Sequence, residues 1–394
     1  MQKAPAPRPP SRPWHPLALG CALLFAAPPL IAGALGVWGL LRGLFTPMEH
    51  YWTSGCVTRD ETTLAVTGDE AVLVDLRDGT IRSRFSGYFD HVVCLPGGDI
   101  FGLTPNESVS LTTRTRAGRN GSGSPAASID ERTVLLLERP SRSSGQRGLY
   151  SEWSGPLELR TESFGPAPRR SLGVPVSPER LPGVGAGPIA RFATLFVRRL
   201  DSGEVLVAAG FLPSSTPSDP THWADGRTRG LHRVDLTTGA FLPHGASLGA
   251  AEAACLLMSA TTSRATASAD GSVVHAVCAD GEDRLELLRL VPKTGTGTVL
   301  ARFDEARESS ALALTSAGDR IAIATVAPDG SSGRVTVVDT ATGLVLFRTE
   351  RFRGWVQALE WLRDGSLVVA TSKREYQRCD GTTGAVVWSA TAPP

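Results

Sequence analysis

The sequence predicts an all-β fold: a β-propeller of seven four-stranded blades, preceded by one N-terminal transmembrane helix. Two observations predict the propeller. Beyond residue 50, short runs rich in Val, Leu, Ile and Thr are separated by turns of Gly, Asp and Ser, which is typical of strands and hairpins. These runs recur as four-stranded units of about 40 to 50 residues, the usual spacing of propeller blades. An apolar N-terminal stretch predicts the membrane helix.

The apolar stretch is the first element of the chain. There is no charged side chain between Pro13 and Leu41 when His15 is counted as neutral. A helix over the apolar stretch from Leu17 to Leu41 exceeds the roughly 30 Å hydrocarbon core of a bilayer. Because basic residues favour the cytoplasmic side, the N-terminus is expected inside the cell and the remaining chain outside. The basic residues that precede the stretch are Lys3, Arg8 and Arg12.

The membrane helix divides the chain into three parts. We expect a short cytoplasmic tail at 1–13, a signal-anchor at 14–42 and a periplasmic propeller at 50–394. The alternative is a secreted protein, because "AGA" at Ala32 to Ala34 is an A-x-A cleavage site that follows a basic start. Both interpretations place the domain in an oxidising compartment, where disulfides form.

The most regular element of the propeller is a hairpin in which glycine follows aspartate by four residues. An aspartate side chain accepts hydrogen bonds from the downstream backbone, and glycine adopts the positive φ that a tight turn requires. We interpret each pair as the turn between two strands of a blade. The pairs are Asp75 and Gly79, Asp235 and Gly239, Asp339 and Gly343, and Asp380 and Gly384.

A second pair of strands precedes each hairpin, so the complete unit has four strands. In the last unit these strands are "WVQALEWL", "SLVVATS", "EYQRCD" and "AVVWSA". Residues 141–189 are interpreted as a degenerate blade or an insertion, and 114–132 and 212–230 as long solvated loops. The other units start near residues 50, 90, 190, 250, 305 and 352.

The last unit resembles the quinoprotein repeat D-x-x-T-G-x-x-x-W, matched by Asp380, Thr383, Gly384 and Trp388. The chain after residue 50 is similar to bacterial β-propellers of the Trp-Asp-repeat and quinoprotein-like type. In the quinoprotein repeat the tryptophan docks between neighbouring blades, which implies a packing role for Trp388. The other copies depart from the repeat at this position, with Ser83, Pro243 and Phe347.

The motifs that would carry chemistry are weak. "GASLG" at Gly245 to Gly249 matches a nucleophile elbow around Ser247, but it lacks the α/β context that this motif needs. The acidic turns at 279–283 and 327–333 lack the spacing of a calcium loop. The histidines and cysteines lack metal-ligand spacing. No catalytic, cofactor or metal site is therefore predicted.

Five cysteines follow the anchor, so at least one is expected to be unpaired. Cys255 and Cys278 are placed on neighbouring strands of one blade, where a disulfide is geometrically allowed. Cys56 and Cys94 are placed at corresponding positions on the first strands of two blades, which disfavours their pairing. Cys379 is the fifth.

The predicted function follows from the anchor, the repeats and the missing active site. The formal net charge is +1, so no overall field favours nucleic acid. We expect a membrane-anchored, non-catalytic platform for protein interaction or assembly, with a protein partner. The alternative is an enzyme that uses the propeller channel, either a quinoprotein-like oxidoreductase or a hydrolase.

Overall fold

The computed structural model describes the chain from residue 55 to residue 393 with internal gaps. The gaps are 105, 119–123, 129–132, 139–156, 164–171, 177–188, 214–228, 236–240, 247, 250–251, 253–254, 257–264, 280–283, 305 and 307. The predicted tail at 1–13 and signal-anchor at 14–42 lie outside these residues. The part of the chain that is described contains no apolar helix of bilayer-spanning length.

The described strands form seven antiparallel sheets, each with four strands in chain order. A fifth short strand, β25, adds to one of them. Sheet by sheet, the strands are β1 (Gly55–Val57), β2 (Thr63–Val66), β3 (Glu70–Asp75), β4 (Ile81–Ser86); β5 (His91–Cys94), β6 (Ile100–Leu103), β7 (Glu107–Ser110), β8 (Arg116–Gly118); β9 (Ser124–Ser128), β10 (Thr133–Glu138), β11 (Leu157–Ser163), β12 (Leu172–Val176); β13 (Ile189–Arg199), β14 (Val205–Pro213), β15 (Arg229–Val234), β16 (Phe241–Pro243); β17 (Ala265–Ala267), β18 (Val274–Ala279), β19 (Leu285–Val291), β20 (Thr296–Phe303); β21 (Glu308–Leu314), β22 (Arg320–Val326), β23 (Ser332–Asp339), β24 (Val345–Arg348), with β25 (Phe352–Arg353); and β26 (Val356–Trp361), β27 (Leu367–Thr371), β28 (Glu375–Cys379), β29 (Val386–Thr391).

Strand position within a sheet explains the hydrophobic pattern of the sequence. The second strands are nearly continuous apolar runs, as in β27, "LVVAT", in which every residue is buried. Both faces of these strands pack against a neighbouring sheet. The fourth strand of the first sheet, β4, "IRSRFS", alternates instead, with every second residue exposed. A blade therefore runs from a buried inner edge to a solvated outer edge.

The first strands of the sheets form a closed ring. Each of them contacts the next, and the last of them, β26, contacts β1. The ordered set is β1, β5, β9, β13, β17, β21 and β26. The predicted β-propeller is therefore confirmed.

The hydrophobic core lies between successive sheets. One cluster joins Val72 and Val74 of the first sheet to Val368 and Tyr376 of the last. Another joins strands β22 and β23 to β27 through residues such as Ala324 and Val369. Because no sheet buries its own faces alone, each blade depends on its two neighbours for burial of apolar surface.

One loop predicted from the sequence was wrong. Residues 114–132 are not one solvated loop, because they contain strands β8 and β9. Strands β11 and β12 pair with β10 and belong to the same sheet as β9. Their part of 141–189 thus completes a regular sheet that begins at Ser124. Long linkers rich in Pro, Gly and Arg separate these strands and conceal the repeat. Of the predicted loop at 212–230, residues 214–228 lie outside the described residues.

Candidate functional site

The Asp-Gly hairpins of the last two sheets have the same geometry. Asp380 Oδ1 accepts hydrogen bonds from the backbone N of Thr382 (3.0 Å) and of Thr383 (2.7 Å) and from the Thr383 hydroxyl (2.8 Å). These bonds lower the pKa of Asp380. Gly384 follows with a φ of 74°. Asp339 and Gly343 repeat the arrangement, with bonds from the backbone and hydroxyl of Thr342.

The first hairpin differs from these two in its charges. The Asp75 carboxylate accepts hydrogen bonds from Arg77 and from Arg82, whose Nη2 lies 2.6 Å from Oδ2. The side chain and backbone of Arg77, together with Arg82, hold the pKa of Asp75 well below its usual range. Gly79 has a φ of 78°. Asp235 follows strand β15, and Gly239 lies outside the described residues.

Two of the hairpin glycines also contact an aromatic ring of the neighbouring blade. A Cβ atom on Gly79 would lie 2.6 Å from the Trp388 ring, and one on Gly384 would lie 2.5 Å from the Phe347 ring. The aromatic residue four positions after one hairpin glycine therefore packs on the hairpin glycine of the next sheet. Positive φ and close packing both require glycine at these two positions.

The first and last sheets meet along a surface that we call the closing seam, formed by β1–β4 and β26–β29. Among the described strands none is exchanged between these two sheets, because each sheet consists of consecutive strands. Side chains make the connection instead. The Leu76 carbonyl accepts hydrogen bonds from Trp388 Nε1 (3.0 Å) and from Arg378 Nη1 (2.9 Å). Trp388 thus packs the last blade on the first, as the repeat implies.

Ionic contacts add to the closing seam. The Glu61 carboxylate accepts a hydrogen bond of 2.9 Å from the backbone N of Arg363. The Arg374 guanidinium lies 3.2 Å from the Glu70 carboxylate. Sequence reasoning did not identify these four residues, because nothing in their local pattern shows that the two ends of the propeller meet.

The outer strands of the last two sheets carry exposed apolar side chains. Leu344 is 66% exposed, and Val386 and Val387 are 56% and 57% exposed. Phe347 of β24 lies against Gly384, in the hairpin that precedes β29. We call this surface, Leu344–Leu346 with Val386 and Val387, the apolar rim. Edge strands also present backbone groups that another strand can pair with.

Two disulfides join cysteines in the described part of the chain. Cys255 and Cys278 are bonded, with their Cα atoms 5.2 Å apart. Cys255 is helical, however, and does not lie on the inner strand of its blade, which is β17. Cys56 and Cys94 are also bonded, with a Cα separation of 5.8 Å. The expectation that they would not pair was wrong, because the inner strands β1 and β5 converge toward the centre of the ring.

The remaining motifs occupy ordinary turns or lie outside the described residues. Asp329, in the turn at 327–333, accepts a hydrogen bond from the backbone N of Ser331 (3.0 Å) between β22 and β23. Ser247 and residues 280–283 are outside the described part. Among the residues that are described, no cluster of three or more His, Cys, Asp or Glu side chains could hold a metal ion.

Comparison with known proteins adds one family match. Residues 286–394, from β19 to the C-terminus, match the sequence model of a family described as outer membrane protein assembly factor BamB. The matched segment includes the Asp339 and Asp380 hairpins and Trp388. Among curated proteins no sequence relative was found.

Several solved propellers are similar in shape at low identity. The β-propeller domain of Cps50 (Swd1) from Myceliophteria thermophila is 9% identical with a TM-score of 0.49, over 81% of this chain and 93% of that chain. Saccharomyces cerevisiae Sqt1 is 10% identical with a TM-score of 0.46, over 86% and 84%. A functionally unknown protein from Desulfotomaculum acetoxidans is 11% identical with a TM-score of 0.44, over 82% and 92%. The ring of sheets and the Asp-Gly hairpins identify the chain as a β-propeller repeat protein, whose residues 286–394 are similar to a quinoprotein-like family.

Proposed function

We propose that this protein is a membrane-anchored, extracytoplasmic platform that binds a protein partner without catalysing a reaction. The observation that carries the proposal is the match of residues 286–394 to an outer membrane protein assembly factor, because this segment includes the two blades that expose the apolar rim. The ring of inner strands supports a rigid propeller of seven blades as the scaffold of this platform.

The disulfides support the extracytoplasmic location. Cys56–Cys94 and Cys255–Cys278 both link segments of the propeller. Disulfides persist in oxidising compartments and are rare in the reducing cytosol. The uncharged apolar stretch from Pro13 to Leu41, with basic residues before it, supports an anchor that leaves the propeller in the periplasm.

The apolar rim is the surface that we assign to the partner. Its side chains are branched aliphatic groups on two neighbouring outer strands, with exposed fractions of 41% to 66%. An extended protein segment fits this surface best. Its backbone could pair with the edge of β24 or β29 while its apolar side chains cover the rim. Burial of this apolar area would supply the main driving force for binding.

Site-specific photo-crosslinking in intact cells tests the proposal. A photoreactive amino acid replaces Leu344 in one variant and Val386 in a second, and Arg116 on strand β8 in the control variant, where the side chain is also exposed. The expected result is one common envelope protein crosslinked at Leu344 and Val386 and absent from the control. Failure to recover a reproducible partner, or the same products at all three positions, would contradict an interaction platform on this face.

The non-catalytic part of the proposal has its own test. Purified protein is assayed for quinone-dependent alcohol oxidation and for ester hydrolysis, and the Ser247→Ala variant is assayed in parallel. We expect no turnover above buffer in either assay. Turnover of an ester that disappears in Ser247→Ala would instead assign a hydrolase, and quinone-dependent oxidation would assign an oxidoreductase.

A further inference from the structure

Strand β29 is the outer strand of the last sheet, and no described strand pairs with its outer side. An outer strand presents backbone N–H and C=O groups that a strand from another chain can pair with. Proteins commonly protect such edges with charged side chains, with proline or by keeping the strand very short. β29 has six residues, from Val386 to Thr391, so its length gives no such protection.

The outer strands of the other described sheets all carry an arginine or a proline. These residues are Arg82 and Arg84 in β4, Arg116 in β8, Pro175 in β12, Pro243 in β16, Arg302 in β20, Arg348 in β24 and Arg353 in β25. The sequence of β29, "VVWSAT", contains no charged residue and no proline. Among the described outer strands β29 is therefore the one that lacks this protection against pairing.

The pairing of β29 with β28 shows which backbone groups point outward. The backbone N of Ala392 donates a hydrogen bond of 3.0 Å to the Arg374 carbonyl, at the end of this pair of strands. In an antiparallel pair, residues that bond to the partner strand alternate with residues whose backbone groups point away from it. Ala390 therefore also bonds to β28. The backbone N–H and C=O groups of Ser389 and Thr391 point to the open edge.

The side chains of β29 differ between its two faces. Trp388 and Ala390 are partly buried against the core cluster between the first and last sheets. Ser389 and Thr391 alternate with them and are exposed. Residues directly opposite each other on neighbouring strands share a face of the sheet, so a strand added here would meet one apolar face and one hydroxyl face. A segment that alternates apolar residues with small polar residues fits both faces.

The apolar rim extends this surface at the start of the strand. Val386 and Val387 are 56% and 57% exposed. The register with β28 shifts at this point, and Val387 is the extra residue of a β-bulge. Regular pairing is therefore available along Trp388–Thr391, and the next residues of an added segment would reach the apolar rim.

We propose that the outer edge of β29 accepts an extended segment of the protein partner as a fifth strand of the last sheet. This inference rests on the proposed function, because it assigns a binding mode to the same partner. Main-chain hydrogen bonds to Ser389 and Thr391 would hold the segment on the edge, and its apolar side chains would cover Trp388 and the apolar rim. The segment is uncharged and alternates branched apolar residues with small hydroxyl residues, which complements the two faces of β29.

Hydrogen exchange of the full chain, resolved by residue with mass spectrometry, tests the proposal. The probe is a synthetic peptide of alternating valine and threonine, blocked at both ends, and the control peptide has proline in place of each valine. We expect the probe to slow exchange of the Ser389 and Thr391 amides about tenfold, because both N–H groups gain acceptors. Strand β4, which has the same length but carries two arginines, should not change. No slowing at β29, equal slowing at β4, or equal slowing with the proline peptide would overturn the proposal.

Variants at Ser389 separate strand pairing from general contact. Ser389→Pro removes one outward N–H and no bond to β28, and proline is tolerated on edge strands. It should weaken binding of the probe about tenfold and leave the unfolding midpoint nearly unchanged. Ser389→Arg covers the case in which the proline variant does not fold, because it introduces the charge that other outer strands carry, and it should weaken binding similarly. Thr382→Arg adds the same charge to the exposed hairpin of this sheet and is the matched control. Equal binding by Ser389→Arg and Thr382→Arg would overturn the proposal.

Photo-crosslinking at Leu344 distinguishes this inference from the proposed function, because Leu344 belongs to the apolar rim but precedes β24 on the neighbouring sheet. We expect Ser389→Pro to abolish the crosslink to the partner. A crosslink of equal yield in this variant would overturn strand pairing and leave the platform intact. Slowed exchange with the probe but no crosslinked partner would support the edge and contradict the platform. A dimer in sedimentation that disappears in Ser389→Pro would assign the edge to a second copy of this chain and overturn the proposed partner.

Discussion

Replacing Trp388 with alanine is expected to destabilise the propeller at its closing seam. The indole N–H donates to the Leu76 carbonyl at 3.0 Å, and the ring packs on Gly79 and on the cluster between the first and last sheets. Loss of the hydrogen bond costs about 1 kcal/mol. Replacement of a fully buried tryptophan by alanine costs about 3–5 kcal/mol, and Trp388 is only partly buried. We therefore expect a total loss of about 2–4 kcal/mol.

Equilibrium unfolding of the purified chain in urea measures this loss. Trp388→Phe keeps most of the ring and removes the N–H, so it should lose only about 1–2 kcal/mol. Trp361 is the matched control, because its Nε1 donates to the Ala313 carbonyl at 3.1 Å across a different pair of sheets. Trp361→Phe should cost a similar amount and should not couple to changes at Gly79.

A double-mutant cycle isolates the contact that the seam depends on. Gly79→Ala alone combines the strain of positive φ with a clash against the Trp388 ring. In a Trp388→Ala background only the strain of the backbone remains, so the two changes should be less than additive by about 1 kcal/mol. Additive losses, or an unchanged unfolding midpoint in Trp388→Ala, would refute the reasoning that this tryptophan closes the ring.

Three further predictions follow from the disulfides, the hairpin glycines and the buried histidines. Alkylation of the denatured, unreduced chain should label Cys379 and Cys21 alone, and in the native protein Cys379 should resist, because burial raises its thiol pKa to about 11. Mass spectrometry counts the labels, and each pair of additional labelled cysteines would contradict one disulfide. Gly384→Ala should lower the unfolding free energy in urea more than Gly330→Ala does. Both glycines have positive φ, but only Gly384 packs on an aromatic ring, that of Phe347. Equal losses of unfolding free energy would mean that this packing contributes nothing. Burial lowers the pKa of His275 to about 4, so the unfolded state binds a proton before the folded state as the pH falls below about 6.5. The unfolding free energy should therefore drop by up to about 3 kcal/mol between pH 6.5 and 4. Urea unfolding at several pH values measures this drop, and an equally steep pH dependence in a His275→Gln variant would contradict the prediction.

The sequence alone predicted the repeating elements of the last blades. The Asp-Gly hairpins and the quinoprotein-like repeat define a local turn, and its physics depends only on neighbouring residues: an aspartate that caps the backbone and a glycine at positive φ. The predicted strands of the last blade agree with β26–β29 within about two residues. The packing role of Trp388 followed from the resemblance to the quinoprotein repeat, in which the tryptophan docks between neighbouring blades.

The middle of the chain could not be predicted equally well. Strands β9 and β12 are separated by long linkers, so nothing local shows that they share one sheet. The same limit applies to Cys56 and Cys94, whose bond depends on how closely two inner strands approach at the centre of the ring.

What the sequence determined by itself is the class of the fold and the shape of its hairpins, because strand propensity, alternation and turn chemistry act over a few residues. What only the tertiary structure decided is which residues meet across blades, such as Arg378 and Trp388 on Leu76 and the side chains of the apolar rim. These contacts join residues up to 312 positions apart. Their geometry is set by closure of the ring, which no local pattern encodes.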